Sequence, residues 1–408
     1  MPEDPAVQTF DYIIVGAGSA GCILANRLSE DPGTSVCLLE AGGRDTHPYV
    51  HVPAGFIKTF YDPAVNWNYE MEPSEWTGGR RIHAPRGKTL GGSSSINGHI
   101  YNRGQRYDFD TWGQFGNRGW SYADVVPYFQ RNEKRIGDGE DKLRGRDGNV
   151  LVADLEWRHP LCDAFIEGAV QHGIPRNPDY NGARQDGVSY VQRTIQNGRR
   201  VSTATAYLNP AKKRPNLTVI TRAHTSEIIL DGKKAVGVRY LKGGRGAAPS
   251  EVRAGREVIL SSGTYNSPLL LQLSGIGPAD VLRDLGIDVR HELAGVGENL
   301  RDHYAPRFAG RVKNVETINE MTHGPKLARE VLKYMFTRKG VLSLSPTLVY
   351  LFCHSGESAE SSDIQVSFTP ASYNEGIQGQ LEKEPGMTVA SWQQRPNSKG
   401  YVRARSKD

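Results

Sequence analysis

The sequence predicts an α/β fold organised on a parallel sheet, and three observations carry that reading. Asp11 to Gly16 reads Asp-Tyr-Ile-Ile-Val-Gly, a short continuous apolar run of the kind buried on both faces of a parallel sheet. A glycine-rich turn follows directly and opens a stretch from Ser19 in which Cys22, Ile23, Ala25 and Leu28 recur at helical spacing. Asp31-Pro32-Gly33 ends that helix, and Ser35 to Glu40 forms a second apolar strand, which completes a βαβ unit.

The rest of the chain is read on the same signals. A loop rich in Gly, Asp and Arg between Gly137 and Gly148, followed by an amphipathic stretch from Pro160 to His172, predicts a domain crossing near Glu156. Leu217 to Thr221, Glu227 to Leu230 and Ala235 to Leu241 predict a three-stranded meander with a turn at Asp231-Gly232. Glu257 to Ser261 is another buried-type strand, leading through Gly263 into a helix over Pro268 to Ser274. From Lys326 to Lys339, Leu327, Val331, Leu332, Met335 and Phe336 share one side with basic residues elsewhere. A helix packed on the protein's own core is expected there, with a membrane-surface helix as the alternative. Ser355 to Asp363 reads as an exposed loop.

Composition narrows the function classes. At 408 residues the chain exceeds what one core usually organises, so two domains are expected. Its 50 basic and 45 acidic side chains are spread along the sequence, which argues against nucleic acid as a partner. No apolar run approaches the roughly 20 residues of a membrane span. Met1 to Phe10 carries acids and prolines rather than a signal sequence, so a cytoplasmic location is expected, with peripheral membrane association and a homo-oligomer left open. Cys22, Cys37, Cys162 and Cys353 lie too far apart for the close pairs of zinc sites or redox dithiols, and no metal is expected.

The chemistry starts in the first turn. Gly16-Ala17-Gly18-Ser19-Ala20-Gly21 lies between a predicted strand and a predicted helix, the context of a Rossmann-like dinucleotide fingerprint. Gly16 permits the tight turn, Gly18 lets backbone approach a pyrophosphate, Gly21 lets helix and strand pack, and the helix N-terminus supplies donors. Glu40 is placed to accept from a ribose hydroxyl pair and disfavours the 2′-phosphate of NADP. A plain glycine turn with an unrelated acid is the bland alternative, and the fingerprint alone does not separate FAD from NAD. A second run, Pro85 to Gly98 (Pro-Arg-Gly-Lys-Thr-Leu-Gly-Gly-Ser-Ser-Ser-Ile-Asn-Gly), can crowd backbone amides against a phosphate or flavin edge. Without further context it also reads as a flexible loop.

Gly87 to Asp110, with Leu90, Gly91-Gly92, Ile96-Asn97, Tyr101 and Gly104 at their spacings, resembles the first signature of the glucose-methanol-choline (GMC) oxidoreductase family. Gly263-Thr264-Tyr265-Asn266-Ser267-Pro268, with Leu270-Leu271 and Ser274-Gly275-Ile276-Gly277, resembles the second. The similarity continues through Asn66-Trp67, Arg200-Val201-Ser202, Ala206-Tyr207-Leu208, Asn216 to Val219, Val296 to Leu300 and Asp302-His303, and is greatest to the choline-dehydrogenase-like branch. The resemblance implies FAD. Gly16, Gly18, Ser19, Ala20, Gly21 and Glu40 would hold its ADP half, and Thr225 would meet the adenine through its backbone. Arg86, Gly91, Gly92, Ser93, Asn97 and Gly98 would line the pyrophosphate and isoalloxazine, with Ala41, Trp67, Leu90 and Gly263 completing the cofactor set. Some relatives tether flavin through a histidine just before the motif's asparagine. Ile96 stands there, so the FAD is expected to be non-covalent.

The resemblance further implies oxidation of a primary alcohol to an aldehyde, with hydride passing to the flavin. The family's acid-base histidine, in a His-x-x-Gly-Thr segment, and its His or Asn partner are expected beyond Asp408, since Pro396 to Asp408 is similar to the strand just ahead of that stretch. No catalytic residue is therefore assigned. His99 follows the Asn97-Gly98 turn, but a buried, hydrogen-bonded histidine is the expected outcome there, and His303 is read as structural. An FAD-containing lyase and a catalytically silent flavin-binding fragment are the alternatives. The expected division is a discontinuous FAD domain, 9–156 with 194–306, and an α+β substrate domain, 157–193 with 307–408. Neither the alcohol nor the electron acceptor (oxygen, quinone or another carrier) is specified.

Overall fold

The computed structural model describes residues 7–244, 246–356, 360–374 and 379–407. Its larger sheet has six strands in the order Leu217–Thr221, Val36–Glu40, Gln8–Val15, Pro249–Leu260, Lys234–Lys242, Ala223–Asp231. The first four run parallel and the last two complete an antiparallel edge. The apolar runs are continuous because both faces are covered. Ile14, Val36 and Leu38 pack with Cys22 and Ala25 of the helix Ser19–Leu28, while Ile13, Val15, Cys37 and Leu39 pack with Ile228 and Val238 on the other side. Burial pushes the thiols of Cys22 and Cys37 up to about 12, so both are inert.

Two readings of the sequence are corrected here. Leu217–Thr221 does not belong to a meander with the next two strands. It pairs in parallel with Val36–Glu40 at the opposite edge, Leu217 beside Val36 and Thr221 beside Glu40. The meander partner of Lys234–Lys242 is instead the start of the 12-residue strand Pro249–Leu260, whose second half joins Gln8–Val15. The helix expected from Pro268 spans Gly263–Leu273 with Pro268 inside it. Gly263 at φ +84° lets the chain turn out of the strand into the helix five residues earlier than the proline suggests.

A second, antiparallel sheet has the order Arg307–Arg311, Gly386–Gln393, Ile364–Thr369, Val349–Cys353, Gly187–Tyr190. The helix Pro160–Gln171 covers one face, with Cys162, Ile166 and Ala169 against Val188, Val349 and Leu351, and Phe165 stacked on Phe368. Beside it, Glu133 is fully buried. It accepts from Arg103, Arg144 and the Gly145 amide, and Arg144 also pairs with Asp179.

The helix Gly324–Thr337 forms, but its apolar side is not packed on the core. Leu332, Met335 and Phe336 are 54%, 59% and 83% exposed. The helix is seated through its other side, where Tyr334 donates to the Gly198 carbonyl and Glu330 accepts the Val341 amide. Among the described residues no helix is long and apolar enough to cross a membrane. Of the loop expected over 355–363, positions 357–359 lie outside the described residues.

Candidate functional site

The parallel strands deliver their loops to one end of the sheet, where a cavity of about 740 Å³ opens. Gly16, Gly18, Ser19, Ala20, Glu40, Ala41, Trp67, Arg86, Gly92, Ser93, Thr225 and Gly263, all named above for the cofactor, line it. Gly21, Leu90 and Gly91 stand behind the wall. A Cβ on Gly21 would run into the Gly16 carbonyl, Leu90 is buried in the core, and Gly91, at φ +85°, donates its amide to the Ala17 carbonyl. Tyr265 and Asn266, from the second signature, also line the cavity without having been named for the cofactor, as do Leu260, Ser262 and His224, which no local motif read from the sequence singles out.

Several features fit a dinucleotide. Gly18, the N-cap of the helix Ser19–Leu28, brings no side-chain cap, so the first amides of the helix are left for an anion. Gly92 (φ +51°) lies so close to Gly18 that a Cβ would stand 2.6 Å from the Gly18 Cα, filling the gap between the two glycine-rich segments. The buried hydroxyl of Thr225 has no protein partner. Glu40 is held by the amides of Ala17 at 2.9 Å and Gly42 at 2.8 Å. Burial pushes its carboxyl up to about 7 against the pull of those two amides and of Lys88. Lys88 lies 4.7 Å over the Trp67 ring and Arg86 4.4 Å over that of Tyr265, so both cations are fixed by aromatic faces. The site therefore fits FAD.

A second cavity of about 640 Å³ adjoins the first, and Arg86 and Ser93 line both. Asn97 and Gly98, expected at the flavin, line this one. Asn97 is fixed because its side-chain oxygen accepts from Arg200, at 2.6 Å, and from the His99 amide. Burial brings the Arg200 guanidinium down to about 9. Phe56, Phe60, Tyr350, Tyr373 and Trp392 form aromatic walls, drawn from four separate stretches that no sequence motif links.

His99 meets the expectation of a buried, hydrogen-bonded ring. Its Nε2 lies 3.1 Å from the Pro53 carbonyl and its Nδ1 2.9 Å from the Ser345 hydroxyl. The carbonyl can only accept, so Nε2 carries the proton and Nδ1 accepts from Ser345. Burial, with Arg200 nearby, holds its pKa well below the usual histidine range. Both nitrogens are engaged, which leaves none to take a substrate proton. His303 borders the same cavity, its Nε2 donating to the Gln394 carbonyl at 2.9 Å.

The family profile described as GMC oxidoreductase matches residues 10–305. A protein of Sinorhizobium fredii named oxygen-dependent choline dehydrogenase is 44% identical over 362 residues, 88% of this chain and 65% of that protein. Among solved structures, pyridoxine 4-oxidase from Mesorbium loti superposes with a TM-score of 0.85 at 30% identity, covering 98% of this chain and 74% of the other. A mutant formate oxidase of Aspergillus oryzae RIB40, described for the effect of its mutation on FAD modification, superposes with a TM-score of 0.87 at 26% identity, covering 98% and 76%.

Proposed function

The chain belongs to the GMC oxidoreductase family, and on that premise we propose that it holds FAD non-covalently in the first cavity and a primary alcohol in the second, for oxidation to the aldehyde. The observation that carries the reading is the shared wall: Arg86 and Ser93 border both cavities, so a small molecule in the second abuts the inner end of the first. FAD, when bound, supplies the hydride acceptor. The chain's own residues hold and orient. Glu40 takes the ribose hydroxyls, the amides after Gly18 and around Gly92 take the pyrophosphate, and the aromatic walls exclude water from the alcohol. Ile96 offers no nucleophile for a covalent link, in support of dissociable flavin.

The division into an FAD domain, 9–156 with 194–306, and a substrate domain, 157–193 with 307–408, belongs to the same proposal. In its support, the six-stranded sheet draws, but for Gln8 at its first strand's start, on the former and the five-stranded sheet only on the latter. The exposed apolar side of Gly324–Thr337, with Lys326, Arg329, Lys333, Arg338 and Lys339 around it and Glu330 buried, favours peripheral contact with an anionic lipid surface.

The chain spans 65% of the Sinorhizobium fredii relative, and the proposal gives these 408 residues no acid-base role. The test is anaerobic mixing of primary alcohols with two FAD-loaded proteins, this chain alone and this chain extended by that relative's C-terminal stretch. Bleaching of the oxidised flavin band with aldehyde formation is expected in the extended protein. Flavin that stays oxidised in both, while firmly bound, would overturn alcohol oxidation and leave FAD a structural part.

A further inference from the structure

The relatives' name points to choline, whose quaternary ammonium carries a fixed positive charge, and the second cavity is built for the opposite charge. Its floor is one rung of the five-stranded sheet. Arg307 pairs with Ala390, Ala390 with Ser367 and Ser367 with Tyr350, so these four side chains share a face, and all four line the cavity. The neighbouring position Phe308 turns to the opposite face and is 66% exposed.

The charges in the cavity are Arg86 and Arg307, and no Asp or Glu lines it among the described residues. The two arginines are not equivalent. Arg86 is already engaged, donating to the Pro85 carbonyl and the Tyr265 hydroxyl while lying over the Tyr265 ring. Arg307, exposed at the edge strand, has no ion pair or side-chain hydrogen bond among the described residues. Its guanidinium is within electrostatic reach of Tyr373, whose pKa is raised by burial and drawn down by Arg307. Across the floor, the buried indole N–H of Trp392 has no acceptor. The cavity therefore offers a free cation at its exposed edge and an unused donor on its floor.

We propose that Arg307 is the specificity-determining residue of this cavity, selecting alcohols that carry a carboxylate on a planar ring and rejecting quaternary ammonium alcohols. The inference rests on the proposed function for the position of the alcohol, and it identifies the class of alcohol. A carboxylate can take two parallel hydrogen bonds from a guanidinium, while the ring lies between the aromatic walls and an acceptor meets the Trp392 N–H. Aromatic faces alone also attract a quaternary ammonium. Here such an ion would face Arg307 without a counter-ion among the described lining residues, and like charge sets it against the site.

The test is calorimetric titration of the FAD-loaded chain with 4-(hydroxymethyl)benzoate, benzyl alcohol and choline, with perturbation of the flavin band as the second readout. The benzoate is expected to bind about tenfold or more tightly than benzyl alcohol, and choline more weakly than either. Arg307→Gln should level benzoate and benzyl alcohol, Arg307→Lys should keep most of the preference, and Arg307→Glu should reverse the order of benzoate and choline. Choline binding as tightly as the benzoate, or a ratio unmoved by Arg307→Gln, would overturn the inference while leaving the flavin assignment intact. A chain that takes up no FAD would overturn the underlying reading instead, and the same titration of the flavin-free chain and its Arg307→Gln variant would still decide the role of Arg307.

Discussion

Glu40 makes FAD affinity pH-dependent in a direction that the structure fixes. Burial raises its carboxyl from the ordinary 4.5 to about 7, so in the flavin-free chain it carries a proton below that pH. Ribose hydroxyls donate to the ionised form, and binding must expel the proton wherever it is present. Affinity should therefore rise with pH up to about 7 and level off above, about tenfold weaker at pH 6 than at pH 8. The stability of the flavin-free chain should move the other way. A raised carboxyl favours the folded state below 4.5, and that contribution is lost as pH rises through 7, at most about 3 kcal/mol for this shift. Glu40→Gln cannot ionise. It should flatten both profiles and weaken FAD roughly 10- to 100-fold, the worth of charge-assisted hydrogen bonds to the ribose. FAD titrations followed by flavin fluorescence at pH 6, 7 and 8, with urea unfolding at the same pH values, provide the comparison. A flat wild-type affinity profile, or a slope that survives in Glu40→Gln, would refute the reasoning.

Three further outcomes are expected. His99, held below its ordinary pKa by burial, refuses a proton that the unfolded chain accepts below about 6.5, so its contribution to stability is present above that pH and lost below it. The stability gap between wild type and His99→Asn should accordingly narrow by about 1.4 kcal/mol between pH 7.5 and 5.5 in urea unfolding. Glu133→Ala strands the buried Arg103 and Arg144 and should destabilise by about 3–5 kcal/mol, a loss read in thermal or urea unfolding. Phe336→Ser, at an exposed position, should leave stability within about 0.5 kcal/mol but reduce sedimentation with phosphatidylserine vesicles. Unchanged sedimentation would argue against a lipid-facing helix.

What was legible in the sequence was local. Gly16, Gly18 and Gly21 announce the fingerprint because each answers a steric demand within one turn, and the apolar runs around them betray a sheet covered on both faces. Strand pairing was not local. Leu217–Thr221 has the same composition as a hairpin strand, yet its partner lies some 180 residues earlier, and alternation of side chains does not encode which edge a strand joins. The stripe on Gly324–Thr337 shows the same limit. Sequence reveals an apolar side, while the contacts of Tyr334 and Glu330 decide which side is covered. Arg307, Tyr350 and Trp392 meet only through the register of the second sheet, so the cavity they form could not be read from spacing.

The central claim, that the first cavity is an FAD site closed by the two glycine-rich segments, is tested most directly by the flavin content of the purified chain beside that of Gly92→Val. A valine Cβ would stand 2.6 Å from the Gly18 Cα at a backbone angle that side chains rarely adopt. One FAD for each wild-type chain, released on acid precipitation, and little or none in a Gly92→Val protein that still unfolds cooperatively, is the expected result. A wild-type chain that takes up no FAD, or a Gly92→Val protein that holds it as firmly, would contradict the account.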